Sequence, residues 1–262
     1  QEAVMIYESI LDFWKKQNIK NAKELASVLS SYSVNFAYNS GKIENDEITY
    51  HDTREVFDKD GVTSYTGSTK TLFEIQNSKA AYERMLSAFD DKQIVDEEFL
   101  KEIQMILTNG TYDERRYQIG ERPGEYKHHD YVTGKNEVGA SVEDVQEEVC
   151  ELLDELTVID DKNALVAAAY FHAKFENIHP FSDGNGRVGR LLMNYILLIH
   201  NHPPITIHEE DRKNYYNALE KFDEELELNS LIDFLKLQLV KTWKKQLNKE
   251  KSTSLSLADF IN

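Results

Sequence analysis

The sequence predicts an all-α protein, and three observations lead to this prediction. Helix breakers are sparse, because only four prolines occur among 262 residues and no glycine lies beyond Gly189. Apolar residues recur at helical spacing through most of the chain. Apolar residues make up 40% of the chain and charged residues 29%, which is enough apolar surface to bury a core beneath polar helix faces.

Four helices are predicted in the N-terminal half. An apolar stripe over residues 4–14 marks the first helix. Asn21 followed by Glu24 resembles a capping box, which opens a long second helix. Two further stripes predict the third and fourth helices, over residues 72–89 and 99–107.

Five helices are predicted in the C-terminal half. Ser141 with Asp144 caps the first of them, which carries apolar residues to about position 156. Residues 163–175 are apolar on all sides, so we expect a buried central helix there. The remaining helices are predicted over residues 189–201, 209–226 and 230–247. The last fifteen residues are predicted to form a frayed tail.

The stretch between residues 109 and 140 does not fit the helical pattern. It contains five glycines and one proline and shows no helical period. Such a long connection inside a compact domain is typical of a lid or a binding loop, although a mobile surface loop is the alternative. Residues 131–137 are expected to form a short β-hairpin.

Composition and charge exclude several classes of protein. The formal net charge of −17 and a pI near 4.9 argue against nucleic-acid binding, which needs clustered Lys and Arg. No apolar run approaches the roughly 18–20 residues that span a membrane, and the chain starts without a leader-like stretch. The single Cys150 excludes an internal disulfide framework. We therefore expect a cytoplasmic protein with no nucleic-acid and no membrane partner.

The chemistry is concentrated in the string from His179 to Arg190, which reads His-Pro-Phe-Ser-Asp-Gly-Asn-Gly-Arg-Val-Gly-Arg. Pro180 ends the preceding helix. Gly184 and Gly186 permit positive φ values, so that successive backbone N–H groups can turn toward one anion at the start of the next helix.

The side chains in this string match the needs of a polyphosphate. Asp183 supplies a hard oxygen ligand of the kind that Mg²⁺ prefers. Arg187 and Arg190 lie three residues apart, so we expect both on one helix face, directed at phosphate oxygens. His179 can take a proton near neutral pH.

The string resembles the signature of the Fic family, His-x-Phe-x-(Asp/Glu)-Gly-Asn-Gly-Arg-x-x-Arg, at every fixed position. The resemblance implies a Fic helical core with a short β-hairpin flap. It divides the chain into an N-terminal helical layer over 1–94, a Fic domain over 95–247 and a tail over 248–262. It further implies a protein adenylyltransferase, which moves AMP from ATP to Ser, Thr or Tyr hydroxyls of a target protein and of itself.

The resemblance also implies a role for each matching residue. His179 would be the general base on the attacking hydroxyl, and Asp183 would hold Mg²⁺ or Mn²⁺ on the α- and β-phosphates. The other implied nucleotide contacts are Gly184, Asn185 and Gly186 around the phosphates, Arg187 and Arg190 at the β/γ end, and Tyr216 at the adenine. The implied flap residues, which would hold the target's backbone, are Tyr131, Val132 and Thr133.

A second motif resembles the inhibitory pattern (Ser/Thr)-x-x-x-Glu-(Gly/Asn) of self-inhibited Fic proteins. It runs from Ser40 to Asn45, near the end of the second predicted helix, and contains Glu44 one helical turn after Ser40. By resemblance, Glu44 pairs with Arg190 and keeps this arginine from the γ-phosphate. The chain would then belong to the N-terminally self-inhibited type.

Two other functions remain open at this point. Some self-inhibited relatives use the same glutamate to orient water and remove AMP from a modified protein, and both reactions would use His179, Asp183 and Glu44. A non-catalytic binding module on a Fic scaffold is the alternative of a different class. The expected partners are ATP and a protein target, and a homo-oligomer is compatible with the resemblance. The target and the trigger that releases Glu44 are not readable from the sequence.

Overall fold

The computed structural model describes residues 1–132 and 139–261. Over these residues the chain forms α-helices joined by turns and short 3₁₀ segments, with no β-strand. This confirms the all-α prediction. The helices are α1 (Glu2–Lys16), α2 (Ala22–Val28), α3 (Ser33–Glu44), α4 (Tyr50–Lys59), α5 (Thr69–Asp90), α6 (Glu97–Thr108), α7 (Glu114–Gln118), α8 (Val145–Glu155), α9 (Ala164–Ile178), α10 (Asn185–Ile199), α11 (Arg212–Glu225) and α12 (Asn229–Ser254).

Helices α9 and α10 form the centre of the molecule. They pack most extensively on each other. Helices α3, α5 and α6 cover α10, and α8, α11 and α12 cover α9. The short side chains of α9 allow this close packing, because Ala167, Ala168, Ala169 and Ala173 are all buried. The predicted buried central helix is therefore confirmed.

The N-terminal helices share one hydrophobic core with the rest of the chain. Trp14 of α1 lies against Trp243 of α12, with ring centroids 5.6 Å apart. The ring of Tyr32, just before α3, stacks on the same Trp243 at 5.8 Å. Because α3 also packs on α10, its last residues lie beside the first turn of that helix.

Several predicted elements need correction. The long second helix is broken into α2 and α3 by a turn between Leu29 and Tyr32, where serines favour turn hydrogen bonds and both of these apolar side chains are buried. Helices α4 and α7 were not predicted, and α12 continues to Ser254, seven residues into the segment predicted as a tail. The helix expected to begin near Ser141 begins at Val145.

The connection between α7 and α8 is attached on both sides of His179. The backbone N–H of Lys127 donates to the carbonyl of Pro180 at 2.9 Å, and that of Ala140 donates to the carbonyl of Ile178 at 2.9 Å. Of the predicted flap residues, Tyr131 and Val132 lie in irregular backbone. Thr133 and the rest of the expected hairpin, to position 138, lie outside the described residues.

Across the described part of the chain, no helix combines the length and the apolar character needed to cross a membrane.

Candidate active site

His179 sits at the junction between α9 and the following turn. Helix α9 ends at Ile178, and His179 adopts a left-handed conformation with φ of 52° before Pro180. The side chain of Asn185 is fixed by the backbone of Phe181, whose N–H donates to Oδ1 at 2.9 Å and whose carbonyl accepts from Nδ2 at 2.7 Å. The same Nδ2 lies 3.2 Å from Nε2 of His179. Since an amide N–H can only donate, the imidazole lone pair is at Nε2.

His179 is a neutral base in this environment. Burial and the nearby positive charge of Lys127 lower the pKa of His179 to about 4, against the opposing effect of Asp183 and Glu44. The side chain is therefore uncharged at neutral pH. A neutral imidazole whose Nε2 faces an open cavity can accept a proton from a hydroxyl group.

The turn after His179 leads into the N-terminus of α10. Gly184 has a φ of 86°, as expected for this turn, and precedes the first helical residue, Asn185. The prediction of a positive φ at Gly186 is wrong, because this residue is already helical. Gly186 is needed for space instead: a Cβ there would collide with the Glu44 carboxylate and the Arg190 guanidinium.

Arg190 is almost completely buried and has partners on three of its nitrogens. Its Nε donates to the hydroxyl of Ser40 at 2.9 Å, and its Nη2 donates to the carbonyl of Ser40 at 2.9 Å. Nη2 also donates to Oε1 of Glu44 at 2.8 Å, and Nη1 to the hydroxyl of Tyr215 at 3.3 Å. Both residues predicted to be inhibitory, Ser40 and Glu44, therefore contact Arg190.

Arg187 contacts a different set of side chains from Arg190. Its guanidinium lies 3.4 Å from Asp183 and 3.9 Å from Glu74 of α5, and it borders a separate small cavity behind α3. The Nε and Nη1 atoms of Arg187 are buried and form no hydrogen bond. The two arginines thus contact different side chains and border different cavities.

The residues around His179 enclose a cavity of about 440 Å³, within the size range of small-molecule sites. Of the predicted residues, His179, Asp183, Gly184, Asn185, Gly186, Arg190, Tyr216 and Glu44 line it. Tyr216 is 43% exposed, and its ring stacks on Tyr215 at 5.1 Å. Ser40 and Arg187 are set back from the cavity wall.

The cavity also contains acidic residues to which the sequence assigned no role. Glu176, one turn before His179, lines it, and burial raises the pKa of Glu176 to about 7. Glu220, Asp223 and Glu224 of α11 complete this acidic wall. Only the helical spacing of Glu176 and His179 could have indicated that the two share a face.

Asp183 fits the role of a cation ligand. Its carboxylate is 29% exposed, lines the cavity and makes one long contact with Arg187. Within residues 1–132 and 139–261, the only cluster of three groups with metal-binding spacing is His51, Asp52 and Glu55 on α4. A cation at Asp183 would therefore take most of its ligands from water and phosphate, as Mg²⁺ prefers.

Gln104 of α6 supports the turn before α10 and was not predicted. It is fully buried. Its Nε2 donates to the carbonyl of Asp183 at 3.0 Å and to the hydroxyl of Tyr112 at 2.9 Å. Its Oε1 accepts from the N–H of Gly124 at 2.6 Å.

The fold and the site define a class of protein: an all-α protein in which a buried histidine and the N-terminus of a central helix line one cavity. Residues 94–197 match the family model described as the Fic/DOC family. This stretch, about two fifths of the chain, is similar to Fic/DOC proteins.

Individual relatives match over shorter segments. A protein named protein adenylyltransferase Fic from Drosophila persimilis is 49% identical over 57 residues, which is 22% of this chain and 11% of that protein. The protein of the same name from Nematostella vectensis is 54% identical over 52 residues, 20% of this chain and 12% of that protein. The matched region is thus a small part of these curated relatives.

Solved structures match over almost the whole chain. A Fic domain containing signaling protein from Bacteroides thetaiotaomicron aligns with a TM-score of 0.79 and 26% identity, covering 96% of this chain and 97% of that one. A fragment of Fic-1 from C. elegans aligns with a TM-score of 0.75, 20% identity and coverage of 96% and 74%. The second likeness concerns the fold alone.

Proposed function

We propose that this chain is a protein adenylyltransferase, using ATP and a protein hydroxyl as substrates, and that Glu44 holds it inactive. The observation that carries the proposal is the contact between Glu44 and Arg190 at the start of α10, in the same cavity as His179. The names of the curated relatives support the reaction class.

The proposed reaction places the target hydroxyl at His179. The hydroxyl oxygen attacks the α-phosphorus of ATP and forms the new P–O bond, while its proton passes to Nε2 of His179. The bond from the α-phosphorus to the bridging oxygen breaks, and pyrophosphate leaves with the electron pair. Asn185, which contacts Nε2 in the free protein, gives up this contact as the hydroxyl arrives.

The phosphates would lie against the N-terminus of α10. Backbone N–H groups at Gly184 and Gly186 and the positive end of the helix dipole favour negative charge there. Asp183 would hold Mg²⁺ or Mn²⁺, which supplies positive charge to the phosphates. Arg190 would bind the terminal phosphate with the Nη2 hydrogen that Glu44 now accepts.

The proposed brake is a competition for Arg190. Glu44 Oε1 occupies the space over Gly186, where a phosphate oxygen would need to lie. Losing Glu44 leaves the Ser40 and Tyr215 contacts in place, so Arg190 keeps its position while one N–H becomes available. The pair is only half-buried, because the side chains of Arg190 and Glu44 are 2% and 33% exposed, so the brake depends on the position of Glu44 as well as on its charge.

The test is Glu44→Gly, with Glu44→Gly/His179→Ala as the matched control. With α-labelled ATP we expect the single variant to label itself at least tenfold more than the wild type, and the double variant to remain unlabelled. Equal labelling of wild type and Glu44→Gly would refute the brake. A fully active double variant would refute the role of His179. If Glu44→Gly neither binds ATP nor transfers AMP, the non-catalytic binding module is the better description.

Removal of AMP is the second candidate, because the Glu44 carboxylate and His179 line one cavity and could orient a water molecule between them. AMP addition and AMP removal should respond oppositely to Glu44→Gly. Incubated with an AMP-modified protein, wild type would release AMP and Glu44→Gly would not, if hydrolysis is the main reaction.

A further inference from the structure

Arg187 is a buried cation without good hydrogen bonds. It is 8% exposed, and its closest acidic contacts are Nη2 to Asp183 at 3.4 Å and Nη1 to Glu74 at 3.9 Å. Charge-assisted hydrogen bonds normally measure about 2.7–2.9 Å. Arg187 therefore lies between two carboxylates, at a distance from each that is longer than a full ion pair.

Glu74 is the more deeply buried of the two carboxylates. Its side chain is 6% exposed, against 29% for Asp183. The Oε2 atom that faces Arg187 also accepts a hydrogen bond from Nδ2 of Asn45 at 3.3 Å. Asn45 and Arg187 thus share one oxygen of Glu74. The other oxygen of Glu74 lies 3.8 Å from Lys70, which is 54% exposed.

Asn45 connects this group to the proposed brake. It follows Glu44 directly and is the C-cap of α3. Its side chain also donates to the hydroxyl of Thr71 at 2.9 Å, so it fastens the end of α3 to α5. A movement of the end of α3 away from α10 would therefore break two contacts together. These are the Asn45–Glu74 hydrogen bond and the Glu44–Arg190 ion pair.

We infer that Glu74 is a positioning residue that controls how closely the Arg187 guanidinium approaches the Asp183 carboxylate. Asn45 couples this control to the proposed inhibitory segment, residues 40–45. With Asn45 in place, Glu74 shares its Oε2 and Arg187 stays near Asp183, where it competes with a divalent cation. When Asn45 leaves, Oε2 is fully available, and Arg187 shifts toward Glu74 and away from Asp183. Release of the segment would then free both the phosphate arginine and the cation ligand.

This inference rests on the proposed function only in taking Asp183 as the cation ligand. Its test needs no AMP transfer. Each protein is titrated with Mn²⁺ in the absence of nucleotide, and free Mn²⁺ is followed by electron paramagnetic resonance. The Asp183→Asn variant measures Mn²⁺ binding at other sites, such as His51, Asp52 and Glu55. The difference between each variant and Asp183→Asn reports the Asp183 site alone.

The expected changes have opposite signs. Glu74→Gln should weaken Mn²⁺ binding at Asp183 about threefold, because Arg187 is left with Asp183 as its only carboxylate partner. Asn45→Ala should strengthen it about threefold. In a Glu74→Gln background, Asn45→Ala should have no effect, because the shared oxygen is gone. Lys23→Ala, at an exposed lysine of α2, is the control and should change nothing.

A crystal structure of Glu74→Gln provides the second measurement, which does not depend on metal affinity. The Arg187–Asp183 distance should shorten from 3.4 Å to below 3.0 Å. An unchanged distance together with equal Mn²⁺ affinities of Glu74→Gln, Asn45→Ala and wild type would overturn the inference. These outcomes are independent of Glu44→Gly labelling, so failure here leaves the adenylyltransferase proposal standing.

Discussion

At the scale of single residues, the state of His179 is set by its neighbours. Asn185 donates to Nε2, burial disfavours the imidazolium, and Lys127 adds a like charge that opposes protonation. The two carboxylates that would favour a charged ring, Asp183 and Glu44, do not outweigh these effects. His179 is therefore neutral near pH 7 and could accept a proton without first having to lose one.

This state predicts an unusual pH dependence. A general base works when deprotonated, so the rate falls as the pH drops through its pKa. Because the pKa of His179 is lowered to about 4, kcat/KM of Glu44→Gly for AMP transfer should stay level from pH 8 down to about pH 5. An ordinary histidine would lose half of its rate near pH 6.5.

Lys127→Met provides the control for this prediction. The backbone hydrogen bond from residue 127 to Pro180 is retained, while the positive charge near His179 is removed. The fall in rate should then begin at a higher pH than in the Lys127 protein. A profile with its midpoint near 6.5 in both proteins would show that His179 is not the perturbed group described here.

At the scale of elements, the site is assembled where α3, α6 and α10 meet. Helix α3 contributes the acid, α10 the arginines and the anion-binding N-terminus, and α6 the support beneath the turn. Gln104 of α6 joins the carbonyl of Asp183 to the N–H of Gly124 with one side chain. This holds the turn before α10 and the segment around Gly124 in fixed positions relative to each other.

Replacing Gln104 should therefore affect the site through its support. Gln104→Met keeps the side-chain volume but leaves the Asp183 carbonyl, the Gly124 N–H and the Tyr112 hydroxyl without their partner. We expect this to lower the unfolding free energy by about 1–3 kcal/mol. In the Glu44→Gly background we expect roughly tenfold weaker ATP binding by calorimetry, equivalent to about 1.4 kcal/mol. Gln118→Met, at a side chain that contacts only Glu114 in α7, is the matched control. Unchanged ATP affinity in Gln104→Met would contradict the supporting role.

The residues of the site that could be predicted from the sequence are those that lie close together along the chain. The string from His179 to Arg190 is contiguous, so its residue types and spacing could be recognised directly. Glu44 was found because a second local motif marks it. Glu74 and Gln104 lie in ordinary amphipathic helices and reach the site only through tertiary packing, which no local pattern encodes. That Arg187 and Arg190 border different cavities was missed, because a three-residue spacing, about 60° around a helix, does not show which neighbours each side chain contacts.

The same distinction holds for the helices. Long stripes such as those of α5 and α6 were predicted well because many residues repeat one period. The short α7 has no buried residue and α4 has few, so neither carries a periodic apolar signal. The turn between α2 and α3 depends on burying Leu29 and Tyr32 together, a tertiary requirement that local propensity does not contain.

At the scale of the whole molecule, the N-terminal helices and the rest of the described chain share a continuous core. One cluster of buried apolar side chains contains residues from α1 and α3 as well as from α9, α10 and α12. The two tryptophans of the chain, Trp14 and Trp243, lie on opposite sides of this junction and are 2% and 1% exposed. Tryptophan fluorescence therefore reports the docking of the N-terminal layer, whereas circular dichroism at the helix band reports the whole molecule.

If the core is continuous, the layer carrying Glu44 cannot separate without unfolding the rest. Denaturant titrations followed by fluorescence and by circular dichroism should then give the same midpoint, as for one cooperative unit. Trp14→Ala should lower the unfolding free energy by about 3–5 kcal/mol and shift both midpoints together, because a large buried ring is lost from the junction. Val4→Ala, on the same helix but 59% exposed, should shift neither by more than about 0.5 kcal/mol. A fluorescence change at a lower denaturant concentration than the loss of helicity would instead mean that the N-terminal helices undock as a separate unit. Glu44 could then be released by this undocking as well as by movement of its own side chain.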